Sequence, residues 1–120
     1  MTAEELLQRY AEGHRDFRSL DLHCVDLSKA SLSGANLSQA DLRGANLSGA
    51  DLSYSDLRGA DLRDAYLGAA YLANANLTNA KLSGANLRWA SLIHATPANL
   101  ELSDVFLQRT IMPNGGVAEA

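Results

Sequence analysis

Leucine recurs every five residues along most of this chain, at positions 22, 27, 32, 37, 42, 47, 52, 57, 62, 67, 72, 77, 82, 87 and 92 without a gap. Two residues before each leucine stands a small or apolar residue, usually Ala; Leu20, Val25 and Ser55 are exceptions. Asp or Asn most often lies between the two. The unit reads A-(D/N)-L-x-x, as in Ala35-Asn36-Leu37-Ser38-Gln39 and Ala60-Asp61-Leu62-Arg63-Asp64. Period five suits neither regular element. On an α-helix five residues turn about 500°, so successive leucines drift by about 140° and leave any one face. In a straight strand an odd period sends alternate leucines to opposite sides. The chain must therefore bend once per unit, with Leu and Ala inward and the residue between them outward; Ser55, the polar exception inside, is expected to bond its hydroxyl to a nearby backbone carbonyl. The last two positions make the corner and carry mostly Ser, Gly, Arg, Asn and Gln.

Both ends depart from the repeat. Thr2-Ala3-Glu4-Glu5 has the form of a capping box, Leu6, Leu7 and Tyr10 form an apolar stripe at helical spacing, and Gly13 ends it. A short amphipathic helix is expected to cover the first coil. At the other end the pattern breaks at Thr96-Pro97, resumes at Leu102, Leu107 and Met112, and stops at Pro113-Asn114-Gly115-Gly116. Pro97 has no N–H and is expected to weaken the ladder at one side of the last coil.

On these units the chain resembles the pentapeptide-repeat family, in particular its small, helix-capped, cyanobacterial-like members. The resemblance implies an all-β fold, a right-handed quadrilateral parallel β-helix with four units, or twenty residues, per coil. Phe17 reads as the first central residue and Met112 as the last. The expected organisation is a capping α-helix over 1–14, about five β-helical coils over 15–114, and a flexible tail over 115–120.

Composition narrows the picture further. The 120 residues are 47% hydrophobic, and Leu and Ala supply nearly all of that share. So few β-branched and aromatic residues exclude an ordinary sandwich, barrel or α/β core. Cys24 is the single cysteine, so no internal disulfide forms. The first residues lack the basic start and apolar run of a signal peptide, and no stretch is long and apolar enough to span a bilayer, so a cytoplasmic setting is expected, with no membrane partner. The net charge of -4 leaves no basic stripe for nucleic acid.

With a twenty-residue coil, outward residues twenty apart stack into faces. One face carries Asp21, Asp41, Asp61, Lys81 and Glu101, with His23, Arg43 and Arg63 two residues along; it reads as self-compensated. The next two faces and their corners carry Tyr54, Tyr66, Tyr71, Trp89, Ile93, Phe106 and Ile111, crowded toward the carboxy-terminal half. A solenoid surface has no packing need for such residues, which makes them the candidate interaction patch. Cys24 and His23 lack a fixed third group, and His14, His23 and His94 are too far apart in coil position to share a metal. The glycines follow the repeat rather than any phosphate-binding motif. No catalytic residue, metal site or cofactor is expected.

The reading is a non-enzymatic protein-interaction or scaffolding module whose partner is a protein, with a homodimer through the carboxy-terminal end as one form. The alternative is the DNA mimicry of gyrase-binding family members. Residues 21–110 hold nine acids and seven bases, whereas duplex DNA over the same length, about 24 Å, carries about fourteen negative charges. Charge density therefore disfavours mimicry.

Overall fold

In a computed structural model that describes residues 1–119, the repeat is a solenoid built on parallel pairing between residues twenty apart. The pairs Asp16–Asn36, Asp21–Asp41, Asp26–Asn46 and Ser31–Asp51 begin four ladders, which run on to Thr96, Lys81, Phe106 and Ile111. Four bridges in twenty residues define four faces, the geometry that the family resemblance implies. Each central Leu from Leu22 to Leu77 donates its N–H forward, as Leu62 does to the Lys81 carbonyl at 2.7 Å. Each outward residue from Asn36 to Thr96 donates back, as Asp61 does to the Ala40 carbonyl at 2.9 Å. Leu and Ala fill the interior: Leu22, Leu42 and Leu62 in one column are each 0% exposed. The molecule measures 38 × 23 × 22 Å.

The bend at each corner has one backbone signature. Every fifth residue from Ser19 to Arg109 has φ between 55° and 78°, except Asn99. Positive φ at the second turn residue, with the bond from Val25 N–H to the Leu22 carbonyl and its equivalents, marks type II turns. Thirteen of these residues are not glycine, so the left-handed conformation belongs to the coil itself and marks no single residue as functional.

Asp and Asn suit the outward slot because their Oδ1 accepts the N–H two residues on. Ser28 donates to Asp26 and Ser53 to Asp51 at 3.0 Å, and Ser48 to Asn46 at 3.1 Å. These Asx bonds satisfy a corner N–H that faces outward.

Helix α1, Ala3–Ala11, closes the amino-terminal end. Its capping box is formed by Thr2 and Glu5, Leu6 is fully buried, and the Tyr10 hydroxyl donates to the Ser33 carbonyl at 2.6 Å. Beyond Pro97 one bridge in the series is missing, that between Lys81 and Glu101. An open cleft of about 300 Å³, lined by Arg63, Lys81, Glu101 and Ser103 among others, lies there.

Two expectations need correction. The tail is not a free segment across residues 115–119: β1, Thr110–Ile111, pairs antiparallel with β2, Val117–Ala118, and Arg109 N–H donates to the Ala118 carbonyl at 2.6 Å. Gly115, with φ 89°, makes the reversal that lets the chain return to an edge whose N–H groups lacked acceptors. Ala120 lies outside the described residues. Ser55 was expected inside with its hydroxyl bonded to a carbonyl; it is inside, but its Oγ has no partner. No acceptor lies within hydrogen-bonding reach of that hydroxyl, although the Ser55 carbonyl accepts Asn76 N–H at 3.0 Å. Buried Thr110 contrasts with it, donating its hydroxyl to the Leu87 carbonyl at 2.7 Å.

Candidate functional site

The four ladders fix where each candidate residue stands. Tyr66 and Phe106 occupy one ladder and are separated by Asn86; Tyr71 and Ile111 occupy the next and are separated by Ser91. Trp89 lies at the corner between those faces, while Tyr54 and Ile93 lie at the following corner. Tyr54, Tyr66, Tyr71 and Trp89 are all more than half exposed, and Phe106 and Ile111 are also exposed. Ile93 is half-buried, its tip facing Gly115 of the folded-back tail. The seven residues thus lie on two adjoining faces and three turns of chain, with polar residues between them, rather than in one continuous apolar surface.

Tyr66, Tyr71, Phe106 and Ile111 stand in the slot otherwise given to Asp or Asn. None can accept the N–H two residues on, so each forfeits the Asx bond that the repeat makes elsewhere. The coil gains nothing there that Asn would not supply.

Two arginines lie over this region. The Arg88 guanidinium stands 4.9 Å from the Phe106 ring centre, and that of Arg109 stands 5.7 Å from the Trp89 ring. Both distances fall within cation–π range. The sequence signal for these pairs is their spacing of 18 and 20 residues, one coil apart.

The opposite side is electrostatically closed. Arg43 grips Asp41 through Nε–Oδ1 at 2.9 Å and Nη2–Oδ2 at 2.7 Å, and Arg58–Asp56 and Arg63–Asp61 repeat the fork. Hydrogen bonding from Arg43 holds the Asp41 carboxyl down at about 2. His23 Nδ1 lies 2.5 Å from Asp21 Oδ1, and this contact raises the His23 pKa and lowers that of Asp21. Asp21, His23 and Asp41 offer three ligand atoms within 4.8 Å of one another. Comparing histidines only with histidines had missed this trio. Both Asp41 oxygens are already held by Arg43, so the trio reads as part of the ion-pair network.

Four-sided coils, an unbroken leucine column and a helical cap together define a β-solenoid repeat protein. The family model for pentapeptide repeats (8 copies) matches residues 26–64, 60–96 and 70–109; the chain belongs to the pentapeptide-repeat family. It is similar to a pentapeptide-repeat protein from the Arabidopsis thaliana thylakoid lumen, with 34% identity and a TM-score of 0.60, over 75% of this chain and 66% of that one. It is also similar to Rfr23 from the cyanobacterium Cyanothece 51142, with 28% identity and a TM-score of 0.51, over 91% of this chain and 99% of that one. The match to QnrB1, a plasmid-mediated fluoroquinolone resistance protein, is looser, at 15% identity and a TM-score of 0.48 over 81% of this chain and 55% of that one. A comparison with curated proteins finds no match.

Proposed function

We propose that this protein is a non-catalytic interaction or scaffolding module, a right-handed square rod of about five coils that holds Tyr66, Tyr71, Trp89 and Phe106 rigidly for a protein partner. The observation that carries this reading is the replacement of Asx-forming residues by exposed aromatics, which serves no need of the coil. Rigidity supports it, because aromatics fixed on a ladder lose little conformational entropy on binding. The absence of disulfides fits a reducing, cytoplasmic setting. Nucleic-acid and DNA-mimic roles are disfavoured, since the carboxylates of Asp41, Asp56 and Asp61 are each neutralised by an arginine.

The test compares the wild type with Tyr66→Ser/Tyr71→Ser as baits in quantitative cross-linking. Protein partners held by the wild type and lost by the variant are expected; an identical set from both refutes the assignment. The proposal extends to a homodimer through the carboxy-terminal end. The tail hairpin takes the N–H groups of Arg109 and Met112, leaving the Leu102 and Leu107 side of the last coil as the open edge. Sedimentation should show concentration-dependent dimers, and a monomer at every concentration would remove the dimer.

A further inference from the structure

Arginine at the coil corners follows a rule that Arg88 and Arg109 break. Arg18, Arg43, Arg58 and Arg63 each pair with the aspartate two residues earlier. Arg88 follows Asn86 instead, whose Oδ1 accepts the Arg88 backbone N–H at 3.0 Å and offers no charge. Arg109 follows Leu107. Among the described residues neither guanidinium makes an ion pair. Each lies instead over an aromatic ring one coil away, Arg88 over Phe106 and Arg109 over Trp89. The ring orients the guanidinium while its N–H groups stay free to bind.

The surrounding charge is equally uneven. From Asp64 to Glu101 the chain carries no carboxylate between, only Lys81 and Arg88. Asp104 stands at the corner before Phe106, and Glu119 follows β2, but neither is paired with Arg88 or Arg109. An acidic chain thus carries no carboxylate from residue 65 to residue 100, and where that stretch meets the last coil two arginine forks without ion pairs alternate with two exposed rings.

We infer that the corner formed by Arg88, Trp89, Phe106 and Arg109 docks an acidic segment of a partner protein. The partner's carboxylates meet the two forks, and its apolar side chains meet the adjoining rings. This rests on the interaction-module reading and names the partner's chemistry. A carboxylate accepts two parallel bonds from a guanidinium fork, which fixes direction as well as charge. A second copy is a poorer occupant, because its own Asp41, Asp56 and Asp61 are already gripped by arginine. A nucleic-acid strand is also poorer, since two cations cannot track a phosphate backbone.

Trp89 is the sole tryptophan, so its fluorescence reports on this corner alone. The probe is a synthetic peptide of alternating Glu and Leu, with a Lys/Leu peptide and oligothymidylate as comparators. A saturable change in Trp89 emission is expected with the Glu/Leu peptide, weakening as salt rises. Arg88→Gln/Arg109→Gln should weaken binding about tenfold or more; Arg88→Lys/Arg109→Lys should restore part of it; Arg63→Gln should leave it unchanged. Circular dichroism melts confirm that these exposed-site variants remain folded. An unchanged emission, equal response to the Lys/Leu peptide, or indifference to the double replacement overturns the inference. Tighter oligothymidylate binding overturns it in favour of a single-stranded nucleic acid, and an emission change with protein concentration that Arg88→Gln/Arg109→Gln abolishes overturns it in favour of a second copy. If cross-linked partners depend on Tyr66 and Tyr71 but survive loss of both arginines, the interaction module stands and the acidic-segment assignment falls.

Discussion

Replacing Ser55 with Ala should make the protein more stable. Ser55 is 2% exposed, and its hydroxyl has no partner. Its coil neighbours in the same column, Ala35 and Ala75, are 0% exposed, so the cavity there already suits a methyl group. An unsatisfied buried hydroxyl carries a desolvation penalty of about 1–3 kcal/mol. Removing the oxygen also loses a small amount of packing, which leaves an expected gain of about 1–2 kcal/mol. For a chain of this size that corresponds to a rise in Tm of roughly 3–10 °C. Denaturant and thermal melts of Ser55→Ala, followed by far-ultraviolet circular dichroism, measure it directly. Ala35→Ser, one coil away, supplies the mirror experiment and should cost about as much as Ser55→Ala gains. A loss of more than about 0.5 kcal/mol in Ser55→Ala would refute the reasoning, because it would mean that the hydroxyl has found an acceptor.

Leu62→Ala, in the middle of the leucine column, should cost about 2–5 kcal/mol. Arg63→Ala on the outside should cost far less, and comparable losses in denaturant melts would reject the inward register. The aspartate–arginine forks should set the acid limit. Asp41 has its pKa depressed from 3.8 to about 2, so its stabilisation is present above the unfolded value and is lost as pH falls through the folded one. Tm should therefore decline between pH 4 and pH 2 and do so less in Arg43→Gln; equal declines would remove the fork from the explanation. His23 has the opposite sign: its raised pKa adds stability below 6.5 that disappears as pH rises through the folded value. His23→Gln should abolish that slope in melts taken across neutral pH. DNA gyrase supercoiling should continue undisturbed at micromolar protein, and clear inhibition would revive the mimicry reading.

Leucine at every fifth position by itself determined a chain that bends once per unit, because no helix or straight strand keeps such a period on one side; the four-sided coil followed from the family resemblance. Asp and Asn between the inward residues carried a second message, the Asx bond. That bond became visible only once the corner N–H was seen to lie two residues along. The helical cap was equally legible from Thr2, Glu5 and Leu6, since capping is local chemistry. Other features depended on which coil lies over which. Ser55 looked like any buried hydroxyl with a carbonyl nearby, yet its place in the coil leaves none within reach, whereas Thr110 finds the Leu87 carbonyl. The tail looked like a free end until the unpaired edge of the last coil gave its backbone a partner. The stacking of Arg88 on Phe106 and Arg109 on Trp89 needed the tertiary structure too. It joins residues of successive coils that are neighbours only because twenty residues return the chain to the same face.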